Sequence, residues 1–304
     1  MANRNKFYGY LAACISAFFW GMSFVGSKSL LNAQFPVFTI VTLRVIVASI
    51  VLLLVFGLQH KIEKIQKKDI GMFFMLSFLE PYLYFIGENY GLKFVSPSFA
   101  SIMIAFIPIC TALTLHFVEK HILRAELIIG TIISILGVVI LSTYGSKGEI
   151  SIKGFLLLVL AVASAVSYGL VLARLLAKGY GPVSITTWQN LLSIVFYIPT
   201  TAIIDHNQWA GLNWSVNTIG AIIFLGVFCS AIAYMMYSIA ANEITIEKTS
   251  VFTNAIPVVT ITFSVLIGQE VFNVQKLCGV VIVVIGVILS QSKLFANFEI
   301  KPKQ

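Results

Sequence analysis

The sequence predicts an all-α polytopic membrane protein, with ten transmembrane helices forming two inverted five-helix repeats. Three observations carry that prediction. Of 304 residues, 59% are hydrophobic and 11% are charged, with a mean hydropathy of +0.96; a soluble chain carries about 25% charged residues because its surface faces water. The apolar residues come in runs of about 20, the length that crosses roughly 30 Å of hydrocarbon at about 1.5 Å per residue. Finally, part of the chain repeats at a constant shift of 149 residues.

The runs cover about residues 8–28, 36–57, 70–92, 98–118, 126–144, 154–174, 183–204, 217–240, 249–268 and 276–292. Their connections are too short to hold a folded domain. The longest polar insertions are 60–69 and 205–215, and the latter carries Trp209 and Trp214, which suit an interfacial belt. The first run follows Arg4 and Lys6, as a signal peptide would, yet it is too long for an h-region and lacks a small-residue cleavage site. It reads as a retained span.

A net charge of +8 points to nucleic acid only when basic residues share a soluble face. Here they lie between apolar runs, so the partner is a lipid bilayer and no nucleic acid is expected. With a cytoplasmic N-terminus, 14 of the 20 Lys and Arg residues fall on the cytoplasmic side and 5 on the far side, with Arg44 inside a span. That bias, and an even number of spans, predict a multi-pass protein of the cytoplasmic membrane with both termini cytoplasmic. Cys14, Cys110, Cys229 and Cys278 lie inside runs without metal or redox spacing. They read as buried free thiols acting as small hydrophobes, and no metal site or cofactor is expected.

The repeat brings Ser101 onto Ser250, Ile107 onto Ile256, Pro108 onto Pro257, Thr111 onto Thr260, Gly130 onto Gly279 and Gly137 onto Gly286. No gap is needed over about 45 residues. Matched Pro, Gly and hydroxyl positions at one offset are harder to obtain by chance than matched apolar ones. The halves are expected at 1–146 and 147–304. Five spans per half put the halves in opposite orientations, an architecture of secondary transporters with the site near the midplane between them.

The first half opens with FFWGMSFVGSKSLL (18–31), then Pro36 and TLRVIVA with Arg44, then GLKFVSPSFASIMIAFIPICTAL (91–113) and GTIISILGVVIL (130–141). The second repeats the last two as IEKTSVFTNAIPVVTITFSVLIGQE (246–270) and CGVVIVVIGVIL (278–289). In order and spacing this resembles the ten-helix EamA-type family of the drug/metabolite transporter superfamily, from about residue 8 to 291. One position departs: His121 stands where the family pattern has the Glu that Glu270 supplies in the second half, a position read as structural. The resemblance implies transport of a small solute. It does not name the solute, since members move amino acids, other metabolites, sugars, cations and drugs.

Ionisable residues inside spans are costly and face a partner or an aqueous cavity. Arg44 lies in the second run, with Glu80 and Glu88 in the third. Glu80, Tyr84 and Glu88 are spaced i, i+4, i+8, which places them along one helical face. On the functional reading this face lines the cavity, and Glu80 binds the solute's cationic group or a coupling proton. On the structural reading Arg44 pairs with a glutamate and fastens two spans. Tyr234, Tyr237, Ser238 and Asn254 offer a hydroxyl-rich opposite wall, able with the acidic side to hold a zwitterion or an amphipathic metabolite. Trp188 and Trp20 are candidate aromatic walls, with packing or interfacial roles as their alternatives. Pro108 and Pro257 are candidate hinges, with static kinks as theirs.

No HExxH, GxSxG or P-loop is present, so neither hydrolase chemistry nor ATP-driven transport is expected. The expected function is secondary export of amino acids or similar small metabolites by alternating access, in a monomer or homodimer, with the proton as candidate coupling ion. A carrier of nucleotide-sugars, phosphorylated metabolites or lipid head groups is the alternative within transport. Such cargo would want more than one cavity cation, and Arg44 stands alone. Outside transport the alternative is an intramembrane enzyme or receptor.

Overall fold

The computed structural model describes residues 2–120, 123–143, 151–269, 271, 274–291 and 299–300. The expected boundary between halves at 146/147, and the loop positions His121 and Glu270, lie outside the described residues. The chain is an all-α, multi-pass membrane protein. Among the described residues the only strands are Leu123–Arg124 and Glu299–Ile300, a two-residue antiparallel pair.

Helix α1 runs over Ala2–Asn32 and α2 over Val37–Leu52, the latter prolonged by a wide turn at Leu53–Gly57. The third rod is broken into α3 (Ile70–Ser77) and α4 (Tyr84–Phe94) by the segment Phe78–Leu83. Then follow α5 (Pro97–Ile104), α6 (Ile107–Glu119), α7 (Ala125–Thr143), α8 (Ile152–Ala177) and α9 (Pro182–Ile204). Helices α10 (Val216–Phe224) and α11 (Ala233–Ile244) are joined by a widened stretch at Leu225–Ile232. Last come α12 (Ile246–Val251), α13 (Ile256–Leu266) and α14 (Val274–Gln291).

Six rods among the described residues are long and apolar enough to cross a bilayer: Lys6–Asn32, Val37–Gly57, Lys67–Phe94, Ile152–Ala177, Val216–Ile244 and Ile246–Leu266. The other apolar helices are shorter (Ile107–Val118, Ala125–Gly137, Val281–Ser290). Helix α9 has 23 residues but carries a polar stripe that includes Thr186, Thr187, Gln189, Asn190 and Thr201, all buried.

Proline chemistry sets the breaks. Pro108 and Pro257 are not kinks within continuous helices, as the sequence reading expects. Each stands in the first turn of a half-helix, α6 or α13, where its missing N–H costs nothing and its fixed φ suits the start. Pro81 acts on the residue before it, which it pushes out of the helical region. Glu80 accordingly takes an extended conformation, φ −147° and ψ 123°.

Glycine governs the closest helix contact. A Cβ at Gly137 would meet Val283 N at 2.7 Å and Gly279 O at 2.8 Å, and one at Gly286 would meet Ser134 N and Gly130 O, each at 2.5 Å. Rising numbers in α7 thus face falling numbers in α14, so the helices pack antiparallel and backbone to backbone. Ser134 Oγ donates to Val283 O at 3.3 Å. Those two positions are 149 residues apart, so the bond joins a residue to its own counterpart under the repeat shift. Elsewhere α1 packs on α11, α4 on α8, and α2 on α9.

Large apolar side chains such as Leu54, Phe117 and Val216 are exposed on the outer faces, as lipid contact requires. Cys14 and Cys278 are exposed there too, whereas Cys229 is buried and Cys110 intermediate. The expectation that all four thiols are buried therefore fails for the two on lipid-facing surfaces, where a thiol serves as a small hydrophobe just as well.

Candidate functional site

The break at Pro81 places a carboxylate in the protein interior. Glu80 is 4% exposed, and Tyr234 Oη donates to its Oε1 at 2.7 Å. The backbone at the break takes side-chain donors from two neighbouring helices: Tyr197 Oη donates to Pro81 O at 2.7 Å and Ser164 Oγ to Leu79 O at 2.5 Å. Side chains from α8 and α9 thereby add donors to two carbonyls that also accept from Tyr84 N, and tie the irregular backbone at the break to its neighbours.

Glu80 borders a small cavity of about 20 Å³, lined also by Trp20, Tyr84, Ile104, Ile107, Ala165, Tyr168, Tyr237, Thr253 and Ile256. That is room for about one water molecule. Ile107 and Ile256 begin the half-helices α6 and α13, so both broken rods meet at this cavity. The lining comes from helices on both sides of the repeat.

Aromatic rings dominate the surroundings. Trp20 lies 5.1 Å from Tyr234 and 4.9 Å from Tyr237 between ring centroids, and Tyr168 lies 6.3 Å and 6.5 Å from the same two. The four rings close a circuit beside the carboxylate. Trp20 Nε1 has no hydrogen-bond partner, and neither does either amide atom of buried Asn254, next to the lining residue Thr253.

Arg44 stands apart from the cavity. It is fully buried, its Nε donates to Ser230 Oγ at 2.9 Å, and its guanidinium carbon lies 3.9 Å from the Phe85 ring centroid. Its two terminal nitrogens have no hydrogen-bond partner, and neither has Glu88 Oε1. A fastening Arg44–glutamate contact is therefore not formed. Arg44 and Glu88 sense each other electrostatically, and Glu88 is linked to the cavity through the lining residue Tyr84.

The other expected site residues divide. Tyr84 and Tyr237 line the cavity, and Tyr234 backs Glu80. Ser238 is buried and lies 3.2 Å from Thr186 Oγ1. Trp188 is elsewhere: its Nε1 donates to Glu63 O at 2.8 Å, which makes it part of a surface strap rather than a cavity wall. Because the rod breaks at Glu80, the i, i+4, i+8 face holds as a helical face only for Tyr84 and Glu88.

Sequence reasoning does not find Tyr168, nor the ties that close the bundle at its two ends. At one end the 60–69 segment straps onto the start of α9. Lys178 pairs with Asp69, Tyr180 Oη donates to Asp69 Oδ2 at 2.9 Å, and Gly181 N donates to Glu63 Oε2 at 3.0 Å. At the other end the loop after α9 closes on the start of α2. Asp205 Oδ2 accepts from Thr39 N at 2.7 Å and Thr39 Oγ1 at 2.9 Å, and Trp209 Nε1 donates to Thr39 Oγ1 at 3.1 Å. A larger, apolar pocket of about 390 Å³ lies at this end, between Leu43, Ile198, Trp209 and Trp214. Among the described residues no charged side chain lines it, and Glu80 is not part of its lining.

Comparison with known proteins gives one family. The model of the EamA-like transporter family matches residues 7–143 and again 152–291. An uncharacterized transporter of Bacillus subtilis, YetK, is 23% identical over 285 residues, covering 90% of this chain and 84% of that protein. Another from Archaeoglobus fulgidus is 25% identical, covering 91% and 96%. The B. subtilis transporter YyaM is 30% identical over 203 residues, 65% of each chain. A solved crystal structure superposes with a TM-score of 0.71 at 16% identity over 90% of this chain and 97% of that one, a likeness of fold alone.

Proposed function

The chain belongs to the EamA-like transporter family, is thus a membrane-embedded transporter of small molecules rather than an enzyme, and from that premise we propose that it is a secondary carrier working by alternating access at the Glu80 cavity. One observation carries the reading: a buried carboxylate faces a cavity where two broken helices meet, between two ends that are each tied shut. An isolated carboxylate at that depth is costly as an anion, so Glu80 calls for a proton or a cationic group as partner. Both are what a coupled carrier exchanges.

The proposed frame is ten spans in two inverted halves, 1–146 and 147–304. The two stretches matched by the family model support it, as do the counterpart contacts of α7 and α14. In that frame α1 on α11 and α4 on α8 are one contact made twice. We place both termini in the cytoplasm on the Lys and Arg bias, which assigns the 60–69 strap to the inner face and the Asp205–Thr39 tie to the outer. Pro108 and Pro257, at the starts of paired half-helices beside the cavity, are the proposed hinges. The solute class is an amino acid or similar small metabolite, and export is the proposed direction. Phosphorylated cargo is disfavoured because no Lys or Arg among the described residues lines the cavity.

The test is counterflow of a labelled amino-acid panel in proteoliposomes, with and without a pH gradient. Saturable counterflow establishes a carrier; its absence for amino acids and for all other small solutes ends the reading. The strap gives a second expectation. Asp69→Asn removes an ion pair whose lysine is partly exposed, a weak interaction that solvent screens. Alkylation of Ile107→Cys from the inner face should rise a few-fold at most in Asp69→Asn. An unchanged rate would mean that the strap does not hold the inner side closed.

A further inference from the structure

We propose that the Glu80 cavity is an ammonium site: it binds the solute by an organic ammonium head group, N-alkylated heads included, and gives a solute carboxylate no cationic partner. The inference rests on the carrier reading of the same cavity and, among the small metabolites of that reading, selects ammonium compounds without a carboxylate in place of zwitterionic amino acids.

The argument starts from what surrounds Glu80. A cation held against a carboxylate in a dry site also gains from aromatic faces, because the ring quadrupole is negative over its face and attracts positive charge within about 6 Å. Trp20, Tyr168, Tyr234 and Tyr237 form a closed circuit of rings, with neighbouring centroids 4.9–6.5 Å apart. Trp20, Tyr168 and Tyr237 line the cavity together with Glu80, and Tyr84 adds a further ring. Tyr234 fixes the carboxylate by the 2.7 Å bond to Oε1. One carboxylate among several aromatic rings is the chemistry of an ammonium cage.

The remaining lining separates an ammonium from a zwitterion. Among the described residues no Lys or Arg borders the cavity. Arg44 is not among the lining residues; its guanidinium lies against the Phe85 ring and its Nε donates to Ser230 Oγ. Lys28 is engaged with the carbonyls of Leu92 and Val95, at 2.6 Å and 3.3 Å. A carboxylate carried into this site would lose its hydration without gaining a cation, which disfavours it strongly. As it stands, the cavity admits a group about the size of one water, so a methylated head requires the Trp20 and Tyr237 rings to part.

Choline and glycine betaine share a trimethylammonium head and differ in a hydroxyl against a carboxylate, which makes them the probe pair. Binding to the purified protein in detergent is read from Trp fluorescence and from melting temperature, and flux from counterflow in proteoliposomes. Choline should bind at least about tenfold more tightly than betaine. Tyr237→Ala should weaken choline about tenfold and Tyr237→Phe, which keeps the π face, much less; Glu80→Gln should remove choline binding while the protein stays monodisperse. Betaine binding as tightly as choline, or no choline binding to a well-folded protein, overturns the ammonium site. Amino-acid counterflow without choline binding overturns this inference and leaves the carrier intact. Choline binding without counterflow of any solute overturns the carrier and keeps the site.

Discussion

Glu80→Gln is expected to lower transport about 100-fold and to abolish its pH dependence. The substitution keeps the size of the side chain and an oxygen to accept from Tyr234, so the fold around the break at Pro81 should persist. What it removes is the charge. Removing one partner of a buried, hydrogen-bonded charge pair costs about 2–5 kcal/mol, and about 1.4 kcal/mol is tenfold, so the loss centres near two orders of magnitude. The pH effect has a definite sign. Proton and cationic solute compete for one carboxylate, so in the unaltered protein the apparent KM rises as the solute-facing side is acidified. In Glu80→Gln nothing remains to titrate and the profile becomes flat. Glu88→Gln should cost less, because Glu88 lies outside the cavity lining. Initial counterflow rates between pH 5.5 and about pH 8.5 decide the matter; full transport with an unchanged profile would end any direct role for Glu80.

What the sequence made legible follows from which physical signals are local. Length and hydropathy located the helical rods, and the cost of charge in hydrocarbon singled out Glu80, which the structure puts at the cavity. Repeat counting found Pro108 and Pro257 but mistook their form, because a first-turn proline and a mid-helix proline look alike until the preceding turn is seen. Tyr168 escaped for a narrower reason. Tyr168-Gly169 is the counterpart of Trp20-Gly21 at a shift of 148 rather than 149, and both aromatic residues line the cavity. The charges were harder still: one sequence cannot say whether Arg44 meets a glutamate or a ring, and it meets Phe85. For Trp188 the polar neighbours in α9 leave a cavity wall and a packing or interfacial role equally open; its indole holds the carbonyl of Glu63, 125 residues away. The strap and the Asp205–Thr39 tie join segments more than 100 residues apart and leave no periodic trace.

A large stability loss should come from Gly137 and Gly286, where alanine is expected to cost about 1–3 kcal/mol at either position and leucine more. The reason is the identity of the obstacle. A side-chain tip can rotate away from an added methyl group, but here the Cβ would meet backbone: Gly279 O and Val283 N for Gly137, Gly130 O and Ser134 N for Gly286. The helices can only separate, which forfeits the contacts on either side of the crossing. Melting of the detergent-solubilised protein should fall by roughly 3–10 °C for each alanine variant. Gly220→Ala, where nothing lies within 4 Å of the added carbon, should be neutral or slightly stabilising as helix propensity dictates. The two sites also test the proposed symmetry. Gly279 and Val283 are the counterparts of Gly130 and Ser134 at the 149-residue shift, so Gly137 and Gly286 sit in equivalent contacts, and their losses should be similar in size. Because they share one interface, the double variant should lose less than the sum. Strongly unequal single losses would show that the α7–α14 contact, although built from repeated residues, no longer carries load evenly across its two halves.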